Sequence, residues 1–378
     1  MIYFLINNTF HQYTTNLLIK TLKEPELGLI QIPYSLNPVL EDVRFKKIIT
    51  LEKLPHSIEY LKNFPRLLIK LILRNHKIVT EAKKKIKPGK KDILFVFTET
   101  ELLNSIIINT FKRKRATIFL IEDGLASYLY YNMKSDPFSK RVKALKVLIR
   151  LVYGLKGFSP FNVNGYFYPQ ISDKYFSGIC YFYPITIKRQ IQVFKLMNPV
   201  KPLIFNSKYT NAIFLSQPIY YRFVSLDNYL VSLDLIFSNI ASCFAVIYVK
   251  LHPDERDNGI GTKISGITKK YSNVRLIHTS DIVENIIQDI NTSYAISFSS
   301  TALMSLAFFG IEPIYLYHLF NFMEGETSQY LTTYLKTLNY NFPQSFLDIK
   351  PGYKSGLLDR FSDGMALSDL ICSVNNTE

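Results

Sequence analysis

The chain reads as an α/β protein of two parallel-sheet domains, and three observations carry that expectation. Its 378 residues exceed what one hydrophobic core usually holds, since domains run to about 100–200 residues. Short apolar runs alternate with longer helical patterns along both halves, the rhythm of strands covered by helices. Between 157 and 201 that rhythm breaks at Pro160, Pro169, Pro184 and Pro199, as in an elaborated connection that ends in a linker. The expected domains are therefore 1–198 and 199–378.

In the first half the apolar runs predict strands at Ile2 to Ile6, Leu29 to Ile32, Lys47 to Leu51, Ile93 to Phe97 and Ala116 to Ile121. Helical spacing predicts helices near Thr9 to Leu22, Ile58 to Lys85, Glu99 to Phe111 and Phe138 to Tyr153. After the connection, strands are expected at Ala212 to Leu215, Ala245 to Lys250, Val274 to His278, Tyr294 to Ser297 and Pro313 to Tyr317, with helices near Leu226 to Ala241, Asp281 to Ile290 and Thr301 to Phe309. Two such βα-repeating halves outline the GT-B arrangement, in which two Rossmann-like domains face each other across a cleft.

Composition limits the rest. Apolar residues make up 48%, aromatics 14% and charged residues 20%, the balance of a packed globular protein rather than a disordered one. Cys180, Cys243 and Cys372 lack the paired spacings of zinc sites or disulfide frameworks and read as thiols of a reducing compartment. The N-terminal apolar run is short and has no basic leader, and no apolar segment reaches the eighteen or so residues of a membrane span. A cytoplasmic protein is expected. The net charge of +15 calls for an anionic partner: nucleic acid, a membrane face or an acidic substrate.

Three motifs lie at strand ends, where a parallel sheet opens onto its ligand crevice. The first is Glu122-Asp123-Gly124 after the strand ending at Ile121. A carboxylate there can take a proton from a sugar hydroxyl, and Gly124 lets the chain turn at once; a solvated Asp-Gly turn is the plainer reading. The second is Lys250-Leu251-His252-Pro253. Pro253 fixes its own φ and holds His252 extended at the strand tip, where an imidazole can hydrogen-bond a leaving phosphate. The third is Ser297-Phe298-Ser299-Ser300-Thr301, in which a helix start supplies N–H groups and hydroxyls for phosphate, or simply N-caps itself. Asp281 and Glu284 are candidates for ribose hydroxyls, although acids in a first helical turn also complement its dipole. No Asp-x-Asp pair occurs, and Asp254 with Asp257 has the wrong spacing to hold a metal between protein and diphosphate.

The set Glu-Asp-Gly, His-Pro and Ser-Ser, in that order and each at a strand end, resembles bacterial sialyltransferases and polysialyltransferases. With Phe214-Leu215-Ser216-Gln217-Pro218 opening the second half, the layout is most similar to glycosyltransferase family 52, whose members build lipooligosaccharide and capsular glycans. The resemblance implies Asp123 as general base and His252 as general acid or phosphate stabiliser. It also implies that Ser299 and Ser300 bind the donor phosphate, with Lys250, Pro253 and Glu284 on the donor side and Glu122 and Gly124 supporting the motif. Some members of that family use an aspartate shortly before the His-Pro pair, a role open here to Asp227 or Asp234. The lack of an Asp-x-Asp pair fits a metal-independent reaction with a monophosphate leaving group and no other cofactor, and inversion by direct displacement is expected. The resemblance implies transfer of an acidic sugar from a CMP-sugar to a glycan acceptor, with 1–198 on the acceptor side and 199–378 holding the donor. Family 52 also contains hexosyltransferases, so a UDP-sugar is the alternative donor.

Between Lys62 and Lys91 eleven Lys or Arg stand against one acid, Glu81, and the first part is interleaved with leucines and isoleucines. Such a helix can lie on an anionic membrane, where a lipid-linked acceptor would be found, or bury its apolar side and leave its lysines in water. Lys140 to Lys156 has the same character. A basic nucleic-acid-binding protein is the rival class, but no zinc, helix-turn-helix or RNA-binding signature supports it. An inactive sugar-nucleotide binder is another. A homodimer is compatible with the sequence.

Overall fold

Strands that are apolar on both faces belong inside a parallel sheet covered by helices, and β1 (Ile2–Asn8) is such a strand, with Phe4, Leu5 and Ile6 fully buried. The computed structural model describes residues 1–22, 26–35, 44–54, 68–99, 101–124, 153–155, 175–183, 191–200, 202–203, 210–221, 223–256, 259–323, 325–358 and 364–375. The chain divides into two units, Met1–Pro199 together with Asp363–Glu378, and Val200–Ser362.

In the first unit β1 is followed by α1 (Thr9–Ile19), β2 (Leu27–Ser35), β3 (Phe45–Thr50), α2 (Leu68–Lys85), β4 (Ile93–Val96), α3 (Leu102–Arg113), β5 (Thr117–Ile121), β6 (Gly178–Tyr181) and β7 (Val193–Lys195). The strands form one sheet in the order β3-β2-β1-β4-β5-β6-β7, and every pairing is parallel. The order reverses direction between β1 and β4, the switch point at which open α/β sheets bind ligands. β6 and β7 lie in the stretch expected to be irregular. Each is four residues or fewer, too short to show a period among the surrounding prolines and aromatics.

The second unit runs β8 (Ala212–Leu215), α4 (Leu226–Ile240), β9 (Ile247–Lys250), α5 (Pro253–Arg256), α6 (Ile260–Thr268), β10 (Val274–Ile277), α7 (Val283–Ile286), β11 (Tyr294–Ser297), α8 (Ala302–Ala307), β12 (Glu312–Tyr315) and α9 (Glu326–Thr337). Its sheet, β10-β9-β8-β11-β12, is also parallel throughout, and its switch point lies between β8 and β11. Phe214, Phe237 and Phe298 pack edge to face at its centre, an arrangement that aromatic quadrupoles favour.

The C-terminal stretch differs from expectation. Its helix α10 (Leu367–Asn375) follows a segment that returns to the first unit rather than staying with the second. Met365 accepts from the Met197 N–H at 2.9 Å and donates to Lys195 O at 2.9 Å, extending the pairing beside β7. Gly364 permits this approach, because a Cβ there would stand 2.5 Å from the Leu196 carbonyl carbon.

The basic helix α2 buries Asn75, Ile78, Val79 and Ala82, with Ile86 just beyond its end, a stripe at helical spacing. Arg74, Lys77, Lys83, Lys84 and Lys85 face outward, and Leu73 is 63% exposed. The described part of this helix thus follows the amphipathic surface reading. Residues 140–152 of the second basic stretch and the first part of the expected 58–85 helix lie outside the described residues. Among the described residues no helix is long and apolar enough to cross a membrane.

Candidate functional site

In the first unit the carboxylate of Asp123 is held by a residue 112 positions earlier in the chain. Asn8 caps α1 by accepting the His11 N–H at 2.8 Å, which sets His11 in the first helical turn directly beyond β1. The ring is fully buried and stacks on Phe97 at 4.5 Å with planes 8° apart. Its Nδ1 accepts the Asn7 backbone N–H at 3.1 Å, so the neutral ring carries its proton on Nε2. Nε2 donates to Asp123 Oδ1 at 2.6 Å, and the Asn8 side-chain nitrogen stands 3.1 Å from the His11 Nε2. Asn7 and Asn104 exchange amide bonds at 2.8 and 3.2 Å, and Asn104 also reaches Thr98 O at 2.7 Å, which fixes the strand ends on both sides of the switch point.

The two acids of the Glu-Asp-Gly motif have different environments. Glu122 is buried and accepts the Phe182 N–H at 3.0 Å. Burial holds its carboxyl well above the usual carboxylate range, against the opposing pull of the Phe182 and Tyr183 N–H groups. It ties β5 to the segment after β6. Asp123 is 22% exposed and is the member of the pair that solvent reaches. Gly124 turns the chain with φ of 70°, a left-handed conformation that an L side chain resists.

In the second unit β9 ends at Lys250, and Pro253 opens α5, the first-turn position that proline favours. The intervening loop is clamped from below. The buried Glu255 carboxylate accepts the His252 N–H at 3.0 Å, the Tyr229 hydroxyl at 2.8 Å and the Ser216 hydroxyl, and Ser216 Oγ accepts the His252 N–H at 2.9 Å. His252 Nδ1 accepts from the Asp254 N–H at 3.3 Å, leaving Nε2 to carry the proton of the neutral ring. Burial lowers the His252 pKa from its ordinary value, with Asp254 and Glu255 opposing. Lys250 is buried, and loss of water lowers its ammonium to about 8, Arg256 adding to the effect while Glu284 and Asp281 oppose it.

Across the switch point, Gln217 Oε1 accepts the Ser299 N–H at 2.6 Å and the Ser297 hydroxyl at 3.1 Å, joining the ends of β8 and β11. Because a backbone N–H must meet oxygen, these bonds also fix which way the amide points. Ser300 Oγ accepts the Ala302 N–H at 3.3 Å, one residue ahead of Thr301, the N-cap of α8, which makes no side-chain cap bond. Glu284 is buried on α7 and accepts the Ser305 hydroxyl, and burial raises its pKa. Asp234 is engaged elsewhere: Lys270 and the Tyr271 hydroxyl each bind it at 2.8 Å. Both precede β10, so Asp234 lies toward the amino end of the sheet, whereas Asp227 is in the first turn of α4. Among the described residues no group of three or more His, Cys, Asp and Glu is gathered for a metal ion.

Sequence reasoning missed His11, Glu255 and Tyr229, and it named Gln217 only within the Phe214–Pro218 stretch, with no role. The Asn8-x-x-His11 start of α1 follows a strand end as directly as the three chosen motifs do, and that position was the available signal. Nothing in local spacing connects Tyr229 with Glu255, because their contact is tertiary.

The sequence matches the alpha-2,8-polysialyltransferase family (POLYST) over residues 4–318, and the chain belongs to that family. The likeness to polysialyltransferases carried by the three motifs is borne out. No curated protein matches. Among solved structures, the UDP-GlcNAc 2-epimerase from Neisseria meningitidis bound to UDP-GlcNAc superposes with a TM-score of 0.57 at 12% identity, covering 100% of both chains. The MnaA–UDP co-structure from S. aureus gives 0.58 at 11%, covering 100% of this chain and 96% of that one. MurG from Acinetobacter baumannii gives 0.52 at 9%, covering 99% of each. At such identities the likeness is one of fold. The protein is a glycosyltransferase of GT-B fold.

Proposed function

We propose that this glycosyltransferase moves an acidic sugar from CMP-sialic acid to a glycan acceptor, with inversion and without a metal. The observation that carries this reading is the cationic strand end Lys250-Leu251-His252, clamped through Glu255 beside the Gln217–Ser299 junction. A CMP leaving group bears a monophosphate. An Nε2–H from His252, the Lys250 ammonium and the hydroxyls of Ser299 and Ser300 are suited to its developing charge without an added cation. Glu284, near Lys250, is the candidate for ribose hydroxyls.

Asp123 is the proposed general base. It removes the proton of the acceptor hydroxyl as the oxygen attacks the anomeric carbon, and the bond to the phosphate oxygen breaks on the opposite face. The buried Glu122 is poorly placed for proton exchange with solvent, which favours Asp123 within the motif. In this scheme residues 1–199 serve the acceptor and 200–362 hold the donor.

Thermal unfolding with CMP and with UDP tests the donor, because a ligand at about one hundred times its Kd stabilises the native state by about 2.7 kcal/mol. CMP protection that is lost in His252→Asn supports the reading. Protection by UDP alone would make the enzyme a hexosyltransferase, and protection by neither would overturn the donor assignment. Activity that survives chelation tests the metal-independent step.

The outward lysines of α2 also support a cytoplasmic enzyme resting on an anionic membrane face, where a lipid-linked acceptor for lipooligosaccharide or capsule is presented. Each cation near such a surface contributes about 1 kcal/mol. Salt-sensitive sedimentation with phosphatidylglycerol vesicles, absent with phosphatidylcholine, is the expected outcome.

A further inference from the structure

The switch point of the second sheet holds a cavity of about 240 Å³ lined by Gln217, Pro218, Ile219, Tyr221, Phe223 and Ser299. Two aromatics stand open there, Tyr221 at 61% and Phe223 at 38% exposure. An aromatic ring offers a ligand a broad apolar face, and tyrosine adds a polar tip. Tyr221 is also held in place: its ring contacts Tyr220 at 4.7 Å, and Tyr220 contacts the fully buried Tyr229 at 5.2 Å. The exposed ring therefore stands on a ladder anchored in the core, so little ordering is needed when a ligand arrives.

The polar lining complements the rings. Gln217 Oε1 is engaged by Ser297 and Ser299, while among the described residues its Nε2 donors meet no protein acceptor. The Ser299 hydroxyl likewise has no protein partner among the described residues, its backbone N–H alone being used. An aromatic platform edged by an amide donor and a hydroxyl suits a ring with one C–H face and a rim of hydroxyls. The volume lies below the range of about 300–1,000 Å³ typical of drug-sized ligands, which favours a single ring over a whole nucleotide.

We infer that this cavity is a pyranose subsite in which Tyr221 and Phe223 carry the face of a sugar ring and Gln217 and Ser299 bind its hydroxyls. The inference rests on the reading of Ser299 as a donor-side residue, and it extends that site from the phosphate to the adjoining sugar. The ring comes either from the donor or from the end of the acceptor glycan.

The test uses the full chain, CMP-sialic acid and a short α2,8-linked oligosialic acid, with Tyr221→Ala, Phe223→Ala and Tyr221→Phe. Each alanine variant is expected to raise one KM about ten-fold, the scale of a lost apolar contact, with melting temperature and CMP protection unchanged. Tyr221→Phe keeps the platform and should keep a near-normal KM. A rise for CMP-sialic acid identifies the donor ring, and a rise for the oligosaccharide identifies the acceptor ring. Unchanged KM values for both substrates, or a fall in kcat alone, would overturn the subsite. If CMP does not protect the wild-type chain, the donor assignment is what fails. Saturation-transfer NMR with free sialic acid and with oligosialic acid then decides the subsite: ring-proton signals lost in Tyr221→Ala support it, and unaltered signals refute it.

Discussion

His11 Nε2 lies 2.6 Å from Asp123 Oδ1, across a sequence separation of 112 residues. The imidazole is buried and the carboxylate is partly exposed, so the pair has one inner and one outer member. The inner ring is fixed by the Asn7 N–H and by Phe97, and it orients the outer carboxylate. The arrangement resembles a base steadied by a third group, with the acid and imidazole in exchanged roles.

Asp123→Asn is expected to lower kcat by about 10²–10⁴, the usual contribution of a general base, while CMP protection persists. His11→Ala should lower kcat less than Asp123→Asn does, leave both KM values near normal and destabilise the protein by about 3 kcal/mol through loss of a buried, charge-assisted hydrogen bond and a packed ring. Steady-state kinetics beside urea melts separate the two effects. Equal loss of activity in Asp123→Asn and Glu122→Gln, with folding intact, would remove Asp123 from its assigned role.

Tyr229→Phe removes one of the donors that hold Glu255 without emptying its site. A loss of about 1–2 kcal/mol is expected from the missing bond to a buried carboxylate. Glu255→Ala should cost more, because it releases the Ser216 and Tyr229 hydroxyls together and leaves the His252 N–H with Ser216 Oγ alone. It should also weaken CMP binding, although Glu255 is assigned no contact with nucleotide. Chemical denaturation and calorimetric titration with CMP check both variants.

Lys250 sets the expected pH dependence. Burial lowers its folded pKa from 10.5 to about 8, so between those values the unfolded chain keeps a proton that the folded chain has shed. Folded stability from this group therefore rises as pH climbs through that interval. Under the proposed donor site, affinity for CMP is expected to fall over the same interval, as the ammonium assigned to the phosphate is lost. Lys250→Met should raise the melting temperature of the ligand-free protein and weaken CMP protection. Melting curves from pH 7 to pH 10, run with and without CMP, test the opposed slopes.

Much of the fold was legible in the sequence because its strands are short, apolar on both faces and separated by helical stretches. Each of the ten expected strands overlaps an observed one, among them Tyr294–Ser297 with identical bounds. The positions of Asp123, His252 and Ser299 just past β5, β9 and β11 were legible for the same reason, since each sheet is parallel and its strand ends can be read from the apolar runs. What stayed hidden depends on distant contacts. β6 and β7 join the sheet through pairing with β5 and with each other, not through any period of their own. His11 gains its meaning from Asp123, and Gln217 from a backbone N–H 82 residues away. α10 looks like any amphipathic helix, and only the Met365 bonds reveal which unit it joins.

Gly364→Ala should loosen that junction, since the added carbon would meet the backbone of Leu196 and Met197. We expect earlier protease cleavage near residue 364 and a lower melting temperature, with CMP protection of the remaining structure retained. Limited proteolysis followed by mass spectrometry reads the site directly.

The return of residues 363–378 to the first unit bears on how the protein is made. Val200–Ser362 is one uninterrupted insert between the two pieces of the first unit. Because domains generally fold as units and in order of synthesis, the sheet that carries Asp123 is expected to gain its bonds to Met365 only after that insert has been made.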